Sequence, residues 1–146
     1  MPLPWPRGAE LPAPACWCGR AGCSELYVSG TGFETAYVRA GGPSIAGPAI
    51  VAAMRQGEAR ARAAFDLYVD RLARTLAAVC DVVDPDVIVL GGGMSNVDEL
   101  YPLLPSAIAP YVFTDSFDTP VRRAVHGDSS GVRGAAWLWP PPEPGP

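Results

Sequence analysis

Lysine is absent from this 146-residue chain, whose 11 cationic residues are all arginine. Schiff-base chemistry and a lysine-bearing phosphate loop are therefore excluded within it. Any phosphate must be held by arginine, backbone N–H groups or helix dipoles. There is one histidine, so a Ser-His-Asp arrangement has a single candidate, His126. No apolar stretch reaches the roughly 20 residues of a membrane span, and no membrane partner is expected. A basic face is missing too: the net charge is −4, which argues against nucleic acid as a partner. The opening Met1-Pro2-Leu3-Pro4-Trp5-Pro6 has neither the basic region nor the apolar run of a signal peptide. Cytoplasm is the expected location, and the four cysteines there read as thiols or metal ligands, not disulfides.

What is present points to a folded chain. Apolar residues make up 49% and charged residues 18%, the reverse of a disordered composition. A chain of this length is about one domain, or part of a larger one, and can bury roughly 68–70% of its extended surface. The 17 prolines gather toward the two ends.

The strongest periodic signal runs from Glu58 to Val83. Ala61, Ala64, Phe65, Tyr68, Leu72, Leu76, Val79, Cys80 and Val83 recur at three- and four-residue steps, predicting one long amphipathic helix. Its arginines and aspartates read as the solvated face, and Asp84-Pro85 ends it. Asp86-Val87-Ile88-Val89-Leu90 reads as a strand buried on both faces of a parallel sheet. Gly91-Gly92-Gly93 then turns the chain, with Ser95 as the cap of a following helix. Pro102, Pro105 and Pro110 are expected to divide that region into short helical pieces. Thr119 to Val125 reads as a second strand, and Val132 to Leu138 as a last helix. Upstream, residues 1–15 read as an extended arm. Ser24 to Ser29 is a short helical turn broken by Gly30-Thr31-Gly32, and Phe33 to Arg39 is a second short helix. Gly41, Gly42, Pro43, Gly47 and Pro48 mark a loop before an apolar segment, Ile50 to Met54. Trp139 onward is a proline-rich tail. Helices and strands alternate, an α/β pattern.

Three thiols fall within Cys16-Trp17-Cys18-Gly19-Arg20-Ala21-Gly22-Cys23. Gly19 and Gly22 let the backbone fold tightly enough for the sulfurs to converge. Three thiolates plus a fourth ligand suit zinc, with Zn–S near about 2.3 Å. Cys80, on the apolar face of the long helix, reads as a small buried hydrophobe. His126, about a hundred residues from the cluster, does not read as the fourth ligand. On residue chemistry alone, Gly91, Gly92 and Gly93 fit a tight strand-to-helix turn and a nucleotide-binding turn equally. Glu25 alone reads as a surface carboxylate at a helix start. Asp128, Ser129 and Ser130 read as helix caps.

Cys16-x-Cys18-Gly19-x-x-Gly22-Cys23-x-Glu25, followed by Ser29-Gly30, closely resembles the signature of the ROK family of sugar kinases and repressors. Pro2-Leu3-Pro4-Trp5, Asp84-Pro85-Asp86-Val87-Ile88-Val89-Leu90-Gly91-Gly92-Gly93-Met94-Ser95-Asn96 and His126-Gly127-Asp128-Ser129-Ser130-Gly131-Val132-Arg133-Gly134-Ala135-Ala136 are similar to its fructokinase (mannokinase-like) branch. The resemblance runs from Met1 to about Trp139.

It implies the C-terminal lobe of an actin-like, ribonuclease-H-type ATPase fold, an α/β unit with a zinc-binding loop. ATP with Mg²⁺ and a hexose, fructose first, would meet in the cleft between two lobes. Residues 1–139 would form that lobe, with 16–25 as the zinc and sugar loop. Residues 58–83 would be the long helix, 86–95 the strand and nucleotide turn, and 140–146 the tail. Cys16, Cys18 and Cys23 would hold structural zinc. Glu25 would meet sugar hydroxyls, and Gly91, Gly92, Gly93 and Met94 would approach ATP or ADP. The family's Asp-x-Gly-Gly-Thr motif, its catalytic aspartate and the histidine that completes its zinc site have no match here. The chain is therefore expected to be inactive alone, and to form a homodimer or associate with a missing N-terminal half. The alternatives are a sugar-binding regulator of the same family and a truncated non-catalytic module.

Overall fold

A computed structural model describes residues 1–138. The tail expected at 140–146 lies outside the described residues. In chain order come α1 (Glu25–Val28), α2 (Gly30–Arg39), α3 (Gly47–Arg55), α4 (Ala59–Val83), β1 (Ile88–Leu90), α5 (Leu100–Ile108), β2 (Val121–Arg123) and α6 (Ser130–Ala136). The arm before α1 is mostly irregular, with one 3₁₀ turn at Gly8–Glu10.

The long helix forms as its periodicity predicts. Glu58 opens it, its carboxylate accepting from the N–H groups of Arg60 and Ala61. Asp84 closes it in a left-handed conformation, donating its N–H to the Cys80 carbonyl at 2.8 Å. Ala61, Ala64, Phe65, Tyr68 and Leu72 are buried, and α1, α2, α3 and α5 all pack on α4. Phe33 of α2 meets Tyr68 edge-on, with centroids 5.7 Å apart. The apolar stripe fails at its C-terminal end, where Val79 and Val83 are exposed. The solvated-face reading fails too: Arg71 and Arg74 are buried.

Gly30-Thr31-Gly32 does not break a helix; it is the first turn of α2. The break falls one residue earlier, at extended Ser29, whose hydroxyl caps α2 through the Gly32 N–H at 3.0 Å. Gly32 is required by proximity. A Cβ there would stand 2.8 Å from the Leu26 carbonyl oxygen, in rigid backbone. Gly32→Ala is expected to force α1 and α2 apart at a cost of about 1–3 kcal/mol, read as a lowered midpoint in urea unfolding. Gly47 and Pro48 likewise begin α3 instead of ending a loop, because proline fits a helix's first turn.

β1 and β2 form a two-stranded parallel sheet, with Ile88 opposite Val121 and Leu90 opposite Arg123. Both strands are shorter than their sequences suggest. Burial of β1 on both faces is not found: Ile88 is 8% exposed but Val89 is 58% exposed. Among the described residues nothing covers the second face. Between the strands runs α5, one helix where three prolines predicted fragments. Pro105 sits inside it. Leu100, Leu104 and Ile108 are fully buried at four-residue steps, which offsets the hydrogen bond that Pro105 cannot make. Ser95 does not cap α5, which begins after Glu99. Instead its hydroxyl donates to the Gly92 carbonyl at 2.7 Å and closes the glycine turn. Ser129 precedes α6 without a side-chain cap bond; its hydroxyl meets Asp128 at 3.1 Å.

Candidate functional site

The cysteine loop is built from short backbone pairings. The Leu3 N–H donates to Gly22 and the Ser24 N–H to Met1, at 2.8 and 2.9 Å, around an antiparallel bridge between Pro2 and Cys23. The Cys16 N–H donates to Arg20 at 2.7 Å, and Gly22 to Pro14 at 2.8 Å. Gly19 and Gly22 both have positive φ, as the tight fold demands.

This folding brings the Sγ atoms of Cys16, Cys18 and Cys23 within 4.8 Å of one another. All three are free thiols. Tetrahedral bonds of about 2.3 Å place ligand sulfurs about 3.8 Å apart, and Cys18 and Cys23 already lie at 3.4 Å. The donor set and spacing fit a metal ion, which the three residues could hold. The backbone N–H of Arg20, followed by the Cys23 thiol, favours thiolate at Cys18. Hydrogen bonding with Cys18 and then Cys16 pushes the Cys23 thiol up to about 11. Cys80 lies away from this cluster, partly buried in the main core, and His126 is not part of it.

Glu25, two residues past Cys23, is exposed at the start of α1. It lines a surface hollow of about 340 Å³ with Trp17, Thr31, Thr35 and Arg39. Burial, and then the charge of Glu25, raises the pKa of Tyr68, whose hydroxyl donates to Val28.

A second hollow of about 380 Å³ lies on the other side of α2. Gly93 and Met94 line it with Gly30, Glu34, Arg55 and Asp128. Gly91 and Gly92 do not line it. Gly92 adopts φ 77°, and a Cβ on any of the three glycines would meet nothing within 4 Å, so the turn faces open space. The Ser95 carbonyl fastens its far side, accepting from Tyr101 at 2.6 Å and Arg123 at 2.8 Å. Thus α2 separates the two hollows: Thr31 and Thr35 border the first, Gly30 and Glu34 the second.

Sequence reasoning missed one cluster entirely. Glu10, Arg71 and Arg74 are buried together, 61 and 64 residues apart in sequence. The Arg74 guanidinium meets Glu10 at 2.7 and 3.0 Å, Asp70 at 2.9 Å, and the carbonyls of Pro4 and Trp5 at 3.0 and 2.8 Å. Arg71 meets Glu10 at 2.8 Å and lies 5.0 Å from the Tyr27 ring centroid. Burial opposes ionisation of Glu10, yet hydrogen bonds from Arg74 and Arg71 outweigh it and hold the carboxyl at about 2. The only sequence clue was the pair of arginines flanking apolar Leu72 and Ala73 in α4.

Fold and site together define an α/β lobe with a loop of three convergent thiols and, across α2, a glycine-lined hollow. The ROK family model matches residues 8–141, and the chain belongs to that family. N-acetyl-D-glucosamine kinase of Pectobacterium carotovorum subsp. carotovorum (strain PC1) is 40% identical over 131 residues, covering 90% of this chain and 43% of its own. The chain thus spans less than half the length of that relative. A ROK family glucokinase from Streptomyces griseus, solved with glucose and AMPPNP, superposes with TM-score 0.77 at 25% identity, covering 86% of this chain and 47% of its own. The ROK hexokinase of Thermus thermophilus gives 0.74 at 27%, covering 94% and 45%. The expected actin-like ATPase fold is borne out. No helix among the described residues is long and apolar enough to cross a membrane.

Proposed function

We propose that this chain is the C-terminal portion of an ATP-dependent hexose kinase whose sugar is N-acetyl-D-glucosamine. The observation that carries the proposal is the convergence of Cys16, Cys18 and Cys23 two residues before Glu25 at the rim of a hollow, in a chain 40% identical to a kinase of that sugar. Fructose, the sugar expected from the sequence, finds no support in that relative and stands as the rival substrate.

In this reading zinc is held by the three thiolates and has a structural part. It fixes the start of α1, and Glu25 accepts hydrogen bonds from adjacent sugar hydroxyls. The hollow at Gly93 and Met94 takes the nucleotide, with Gly91 and Gly92 keeping the approach free of side chains. ATP enters with Mg²⁺. Phosphoryl transfer is positioning plus charge neutralisation, with an aspartate taking the hydroxyl proton. That aspartate has no counterpart here, so an N-terminal half must supply it. The bare face presented by Val89 of β1 and by Val87 just before it supports such an association. Cytoplasm, with its reduced thiols, is the proposed compartment.

The test joins the N-terminal half of the Pectobacterium relative to this chain and assays ATP-dependent phosphorylation of a sugar panel. The chain alone is expected to be inactive, and the chimera to prefer N-acetyl-D-glucosamine to fructose. In the chimera Glu25→Gln raises KM for the sugar by about tenfold or more, with KM for ATP unchanged. A folded chimera preferring fructose would overturn the sugar assignment, and a folded chimera without kinase activity the whole reading.

A further inference from the structure

We propose that Glu10, Arg71 and Arg74 form a buried clasp that presets the cysteine loop for its metal. The proposal rests on the metal reading of the three thiols, and not on the identity of the sugar.

The loop has little core of its own. Cys18 is exposed, Cys23 half-buried, and Trp17 extends into solvent. Its shape is imposed by its neighbours, and the chief neighbour is the arm of residues 1–5. Met1, Pro2 and Leu3 pair with Gly22, Cys23 and Ser24 through backbone bonds, and the Ser24 hydroxyl adds contacts at 3.2 Å to the Met1 and Pro2 carbonyls.

Arg74 ties down this arm. From the middle of the longest helix, its guanidinium donates to the carbonyls of Pro4 and Trp5, immediately after the residues that pair with the loop. Trp5 has φ 44°, a left-handed conformation unfavourable for a bulky side chain, so the surroundings must impose it. The two bonds from Arg74 do so, together with the Trp5 ring stacked on Tyr111 at 5.5 Å. Glu10 completes the lock by meeting both arginines.

A second route leads from the clasp to the other end of the loop. Arg71 lies over the Tyr27 ring, and the Tyr27 hydroxyl donates to the Glu10 carbonyl at 3.4 Å. Tyr27 stands in α1, two residues after Glu25. One buried cluster, Glu10 with Arg71 and Arg74 of α4, therefore reaches the cysteine loop from both sides, through Pro4 and Trp5 next to the Met1–Leu3 pairing and through Tyr27. A site held in its binding geometry spends less free energy on ordering when the ion arrives. By reciprocity, the ion tightens the arm on the clasp.

The experiment measures Zn²⁺ affinity of the full chain by competition with a chromophoric chelator. Glu10→Gln, and the double variant Glu10→Gln with Arg74→Met, are compared with wild type. The double variant removes both members of the Glu10–Arg74 pair and leaves only Arg71, over the Tyr27 ring, without its carboxylate. Leu104→Ala, in the α5 core and outside the clasp, serves as a stability control. Both clasp variants are expected to bind zinc about tenfold or more weakly, while the control, melting at least as early, binds it as wild type does. Zinc should also slow amide exchange at Leu3 and Ser24 in wild type and much less in the clasp variants. Unchanged zinc affinity in the clasp variants would overturn the proposal. So would an equal loss in the Leu104→Ala control, or a wild-type chain that takes up no zinc.

Discussion

Arg74→Ala is expected to destabilise the fold by about 3–5 kcal/mol, a large share of the whole stability of a domain. Arg74 is 0% exposed, and its hydrogen bonds reach Glu10, Asp70 and two backbone carbonyls. Truncation would leave a buried carboxylate facing Arg71 alone and strand the Pro4 and Trp5 carbonyls. Removing both charges at once should cost less than the two single losses together, because the Glu10–Arg74 pair goes as a unit and only Arg71 is left without its carboxylate. A double-mutant cycle on Glu10 and Arg74 by urea unfolding checks this; additive losses would show that the two groups act independently. Acid should reproduce part of the effect. Glu10 ionises in the folded chain at about 2, against an ordinary 4.5. The unfolded chain therefore takes up this proton first as pH falls. The contribution of Glu10, about 3 kcal/mol from the size of that gap, is complete above pH 4.5 and drains away toward pH 2. Glu99 shifts the same way through its hydrogen bonds with Arg55, but on the surface. Acid titration of Glu10→Gln should show a shallower stability loss than wild type over that window.

Stripping the metal should be the other large effect. The cysteine loop is joined to the core through backbone pairings and Tyr27, with few buried apolar side chains of its own. An ion bound by the folded state alone adds stability by mass action, about 2.7 kcal/mol when free ion exceeds Kd a hundredfold. A strong chelator is expected to lower Tm of the wild-type chain by several degrees, and Cys23→Ser to remove both the zinc and the chelator response. Cys80→Ser, away from the cluster, should keep the zinc response. A chelator that left the melting curve in place would refute the metal assignment outright.

Much of this was legible locally. The Cys-x-Cys-Gly-x-x-Gly-Cys spacing specified a convergent loop, and positive φ at Gly19 and Gly22 shows how the backbone achieves it. A 25-residue periodicity announced α4, and β-branched residues before a glycine run announced a parallel strand. Fructose finds no support in the N-acetyl-D-glucosamine kinase relative, and among the motifs that suggested it only Glu25 was assigned a sugar contact, which does not distinguish one hexose from another. The Ser95 cap and the fragmented α5 went astray for a shared reason. Hydroxyls and prolines carry only a local preference, and the buried leucines of α5 overrode it.

The amino-acid order alone determined the long helix, the strand before the glycine turn, the thiol cluster and the family, because each depends on neighbours within a few residues. Which arginines are solvated, and which are buried, was decided only in three dimensions. Period and polarity assign Arg74 to the water face of α4; its partner Glu10 lies 64 residues upstream, and no window spans both. Tertiary structure alone likewise set the two hollows on either side of α2, the bare face of β1 and the need for glycine at position 32. Each of these depends on which surfaces meet after the chain has folded, and that is a property of packing, not of adjacency.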